Sequence, residues 1–137
     1  MTRRLAIAVL LALAAAASFA CGDDTPSNTP TPTTPVTQIF ASNIVPKGTA
    51  VRFFASTLSG TVTAKLTSLS QSVPMGLGIG LGTPDTRQCY LNTQVTTEPG
   101  ADTTISTAID PGYFCVRLWD LGNLTDTASF SITLTSP

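Results

Sequence analysis

From residue 36 onward, apolar and polar residues alternate along the chain with a period of two. Val62, Ala64 and Leu66 alternate with Thr61, Thr63, Lys65 and Thr67. Phe114, Val116 and Leu118 alternate with Tyr113, Cys115, Arg117 and Trp119. Ala128, Phe130, Ile132 and Leu134 alternate with Ser129, Ser131, Thr133 and Thr135. Successive side chains of a strand point to opposite faces, so each run reads as a half-buried strand with one dry and one hydroxyl-rich face. Turn chemistry separates the runs at Pro46-Lys47-Gly48, Ser59-Gly60, Pro84-Asp85, Pro99-Gly100, Pro111-Gly112 and Gly122-Asn123. The pattern predicts strands over 36–41, 50–57, 60–69, 76–82, 88–94, 102–108, 112–120 and 127–135. Strands at that spacing make an all-β fold, an antiparallel β-sandwich of seven or eight strands. Ala50–Thr57 leaves its facing open, because Phe53 and Phe54 point to opposite sides. No segment after Ala20 has helical periodicity.

The run Gly76-Leu77-Gly78-Ile79-Gly80-Leu81-Gly82 has the look of a phosphate loop but not its spacing. A G-x-G-x-x-G pattern needs Gly at 81 or 83, where Leu81 and Thr83 stand, and no P-loop Lys follows. Its strict alternation predicts a strand with Leu77, Ile79 and Leu81 on the apolar face. The bare glycine face lets another backbone or an aromatic ring approach closely.

The first residues read as an address. Arg3 and Arg4 precede an uninterrupted apolar run of 13 residues, Leu5 to Ala17, and Ser18-Phe19-Ala20 closes it with small residues at −3 and −1. A spanning helix needs about 20 apolar residues, so residues 1–20 read as a secretory signal peptide. Cys21 follows directly, and the segment resembles the lipobox of bacterial lipoproteins, with Ser18 where that family usually has Leu. The resemblance implies a diacylated Cys21 at the mature N-terminus and attachment to a membrane. Gly22 stands where an Asp would resemble an inner-membrane retention signal, which favours the outer membrane, facing the periplasm or the exterior. The plainer alternative is ordinary cleavage after Ala20.

Residues 22–37 hold four of the ten prolines and six threonines, with almost nothing apolar. Such a stretch cannot bury enough surface to offset its ordering entropy, so 21–37 reads as a lipidated Cys followed by a tether. Extended at about 3.1 Å per residue, it would reach roughly 50 Å. A disordered leader without a spacing role has the same sequence signature. The division is therefore 1–20 signal, 21–37 anchor and tether, and 38–137 sandwich domain.

Composition narrows the chemistry. The chain contains no His, so Ser-His-Asp or Cys-His catalysis and imidazole metal sites are ruled out. With a net charge of −1, it has no basic field for nucleic acid. Of the three cysteines, Cys21 is assigned to the anchor, leaving Cys89 and Cys115 as an even pair in an exported domain. A disulfide is the expected state there, closing a 27-residue loop. Free buried thiols or a reactive pair are the alternatives, though redox chemistry favours a close Cys-x-x-Cys. No cofactor is expected. Asp120, Asn123 and Asp126 bracket one turn and form a weak calcium candidate beside the plainer use of Asp and Asn in turns. Lys65, between Thr63 and Thr67, occupies a wet strand face rather than a catalytic position. Tyr113, Arg117 and Trp119 share one face of their strand, an aromatic and cationic patch suited to recognition. The bland reading of Trp119 is a cap at the sandwich edge, beside the disulfide.

The segment Thr49–Thr67, the Gly76–Gly82 run, and Gly112 to Asp120 followed by Gly122-Asn123-Leu124-Thr125 together resemble a set of uncharacterised bacterial lipoproteins. In these, an "SGTVTxxLTSL" strand, a "GLGLG"-type strand and a "YCVRVYDxGNLT"-type strand occur in this order. The order is similar, more distantly, to the pre-peptidase C-terminal domain, a β-sandwich appended to secreted enzymes. The resemblance implies a sandwich in an exported setting and transfers no catalytic residue. The expectation is a membrane-anchored structural or binding module of the cell envelope and not an enzyme. Two alternatives stand beside it: an accessory domain that recognises polysaccharide or a secreted protein through the Trp119 face, and a small His-less hydrolase.

Overall fold

A computed structural model of the chain describes residues 34–137. The signal segment 1–20, Cys21 and nearly all of the 21–37 tether lie outside the described residues. Within them the chain forms eight strands: β1 (Val36–Ile44), β2 (Thr49–Ser56), β3 (Gly60–Leu69), β4 (Met75–Thr83), β5 (Gln88–Thr97), β6 (Thr104–Ile109), β7 (Gly112–Asp120) and β8 (Ala128–Ser136). Each strand expected from the alternation is present. β1 and β5 each run three residues further than expected.

The strands form two four-stranded antiparallel sheets, ordered β1-β8-β3-β6 and β2-β7-β4-β5. Among the described residues, β4 and β5 are the only consecutive strands that pair as a hairpin; every other ladder joins segments distant in sequence. The apolar faces named by the alternation meet between the sheets. Val62, Ala64, Leu66, Ile132 and Leu134 on one sheet face Leu77, Ile79, Phe114, Val116 and Leu118 on the other, and all are buried. A register shift between Leu66 and Ser68 moves β3 out of strict phase, which is why Leu69 rather than Ser68 is buried.

The open facing of β2 resolves as Phe54 inward, 7% exposed and packed on Phe114 with ring centroids 5.8 Å apart. Phe53 points outward and lies against the bare backbone at Gly82. Leu81 keeps the expected face, opposite the inward Phe114, but is not buried there. It lies past a second register shift, between Ile79 and Gly80, two residues from the end of β4, and is 50% exposed. No helix among the described residues is long and apolar enough to cross a membrane.

Candidate functional site

β7 carries the residues that sequence singled out. Its inward side contributes Phe114, Val116, Leu118 and Asp120 to the core, and its outward side carries Tyr113, Cys115, Arg117 and Trp119. β4 lies beside it, with Gly76 opposite Trp119, Gly78 opposite Arg117 and Gly80 opposite Cys115. The missing side chains of β4 decide what happens above them. A Cβ on Gly76 would overlap the Trp119 indole, so the ring lies down on the β4 backbone. Leu91 of β5 covers Gly78 in the same way, and the Tyr90 main chain comes close to Gly80 where β5 bulges.

The settled indole leaves Trp119 half-buried rather than a fully exposed platform. The Arg117 guanidinium is held over the ring, its Cζ 5.5 Å from the centroid. Arg117 makes no ion pair with any carboxylate among the described residues, and its Nε is buried without a hydrogen-bond partner. Together these side chains border an open cleft of about 530 Å³, lined also by Leu91, Gln94, Thr96 and Leu121. Sequence reasoning did not find Gln94 or Thr96. They lie on β5, and only the β5-β4-β7 order carries them to Trp119.

Tyr113 is 56% exposed on the same outward face, but it lies six residues from Trp119. At the rise of an extended strand that is about 20 Å. The expected three-residue patch is therefore an Arg117–Trp119 pair plus a separate Tyr113 at the other end of β7, with Cys115 between them.

Cys89 and Cys115 form a disulfide, with their Cα atoms 5.7 Å apart. It ties edge strand β5 to β7, whose common neighbour β4 pairs Gly82 with Cys89 and Gly80 with Cys115.

Asp120, Asn123 and Asp126 do not come together as a cation site. Oδ1 of Asp120 accepts the backbone N–H groups of Gly122, Asn123 and Leu124 at 2.9, 2.9 and 3.2 Å, and Oδ2 accepts that of Lys47 at 2.7 Å. The Asn123 amide donates to the Pro74 carbonyl, and Asp126 accepts from Thr125. No cluster of three His, Cys, Asp or Glu with metal-binding geometry occurs among the described residues. Burial pushes the Asp120 carboxyl's pKa up, but the N–H donors of Lys47, Asn123, Leu124 and Gly122 outweigh it and hold the group below its ordinary 3.8. Its role is to tie the β1–β2 turn to the loop after β7. Lys65 pairs with Asp102 at 3.0 Å on the surface, where Asp102 is fully solvated.

No family model matches this sequence, and no curated protein matches it either.

Proposed function

We propose that this protein is an exported, lipid-anchored binding module of a bacterial cell envelope. In this reading residues 1–20 direct export, Cys21 carries the acyl chains, and the residues between Cys21 and the start of β1 at Val36 space the sandwich from the membrane. The observation that supports it is the Cys89–Cys115 disulfide. Such bonds persist in oxidising compartments and are rare in a reducing cytosol, so a structural disulfide fits the compartment to which the N-terminal segment points. Two or more acyl chains, at about 0.8 kcal/mol per buried CH₂, give stable attachment. The test is membrane fractionation of wild type and Cys21→Ser, with intact mass of the extracted protein. The expected result is an acylated wild type in the membrane fraction and a soluble variant. A Cys21→Ser form that stays with membranes would overturn the anchor.

For the module's task, one observation favours recognition of polysaccharide by the accessory-domain reading. The Arg117 guanidinium, held over the Trp119 ring, borders a cleft that also holds Gln94 and Thr96. Polar side chains that both donate and accept, beside apolar walls, suit the hydroxyls and C–H faces of a sugar. Titrating an envelope polysaccharide fraction should give a binding isotherm that weakens in Trp119→Ala; an unchanged isotherm would remove this reading.

A further inference from the structure

We propose that the cleft beside Trp119 takes an acidic sugar, a uronate unit of a polysaccharide, and that Arg117 receives its carboxylate. The assignment rests on the polysaccharide reading above and names the chemistry of its ligand.

Arg117 carries the argument. The guanidinium carbon lies over the indole, 5.5 Å from the ring centroid, and Arg117 borders the cleft. No side chain among the described residues forms an ion pair with it, and Nε is already desolvated without a partner. Because Nε is buried, a planar anion in the cleft would take its two parallel hydrogen bonds from the terminal Nη groups of a guanidinium that lacks a counter-ion. Low local dielectric strengthens any acceptor that reaches it.

The charge distribution selects the same class. No Asp or Glu lines the cleft. The described residues as a whole carry five Lys and Arg against six Asp and Glu, a net −1. The cleft is thus a local positive site on a weakly acidic surface, which favours an anion there and disfavours indiscriminate adhesion of polyanions.

The remaining lining argues for a sugar body. Gln94 and Thr96 offer donors and acceptors for ring hydroxyls, and Leu91 and Leu121 offer apolar contact. A peptide carrying a terminal carboxylate would gain little here. The floor is β4, paired with β5 and β7, so a peptide could add as a strand only at the outer edge of β5, two strands away from Arg117 on β7.

The experiment titrates the purified full chain with polygalacturonate and with the same polymer fully methyl-esterified, which keeps the sugar backbone and removes the charge. Trp119 is the only tryptophan, so its emission reports occupancy at the site. The expected result is that the acid binds at least about tenfold more tightly than the ester. Arg117→Gln should erase that preference, and Arg52→Gln, at an exposed cation on β2, should retain it. Equal binding of acid and ester would overturn the carboxylate assignment and leave the polysaccharide reading standing. So would binding of neither polymer while the envelope polysaccharide isotherm still responds to Trp119→Ala. A preference that survives in Arg117→Gln, with an unchanged thermal midpoint, would overturn the assignment to that residue.

Discussion

Replacing Asp120 with Ala strips the acceptor from four backbone N–H groups, those of Lys47, Gly122, Asn123 and Leu124. Leaving such groups without a partner in a buried corner should cost about 2–4 kcal/mol, read as a lower urea midpoint at neutral pH. The pH dependence has a definite sign. The folded carboxyl lies below its ordinary value of 3.8, so its stabilising contribution is complete above that value and is lost as pH falls through the lower, folded pKa. Acidification below 3.8 should therefore shrink the stability gap between wild type and Asp120→Asn. A gap that stays constant to low pH would show that the N–H donors do not act through the charged carboxylate. Sequence placed Asp120 in a turn but could not name its donors. Lys47 lies 73 residues away, and its approach depends on β2 pairing with β7.

At the scale of elements, β4 shows what alternation reveals and what it leaves out. The period of two assigned Leu77 and Ile79 to the core and Gly76 and Gly78 to the outer face, and the structure agrees. Nothing in the alternation says which side chains cover the bare face. The answer comes from three strands: Trp119 of β7 over Gly76, Leu91 of β5 over Gly78, and Phe53 of β2 against Gly82. Gly76→Ala tests this directly. The new methyl group must push the indole off the backbone, so the variant should lose about 1–3 kcal/mol and the single-tryptophan emission should shift to the red. Unchanged emission would mean that the ring does not rest on β4. Leu81 marks where the pattern falls short, because the strand end two residues on leaves exposed a residue that alternation assigns to the core. The Tyr113–Arg117–Trp119 grouping fails for a different reason. A shared face is a statement about direction, and distance along an extended strand still separates its two ends.

At the scale of the whole molecule, the disulfide and the long-range ladders hold together a domain of modest size. Closing the loop between Cys89 and Cys115 contributes about 3.5 kcal/mol in the chain-entropy model. The Cys89→Ala, Cys115→Ala double variant should lose a stabilisation of that order in urea denaturation. Thiol counting on the denatured wild type without reductant should find neither of these cysteines free. Retained stability in the double variant would assign the fold to its core alone. Much of this architecture was legible in the chain. Alternation set the number of strands, their dry faces and the sandwich class, because burying one side of a strand demands a residue pattern with a period of two. The even pair, with an N-terminal segment that reads as a signal for export, pointed to the Cys89–Cys115 bond, and the missing His removed imidazole chemistry by elimination. Strand order is another matter. Apart from the β4–β5 hairpin, every ladder joins segments far apart in the chain, and a strand's own pattern does not specify its neighbour. Only tertiary structure decided that β4 lies between β5 and β7. That placement lays Trp119 on Gly76, gathers Gln94 and Thr96 beside Arg117, and carries the disulfide across an intervening strand, because contacts between sheet neighbours depend on pairing and register.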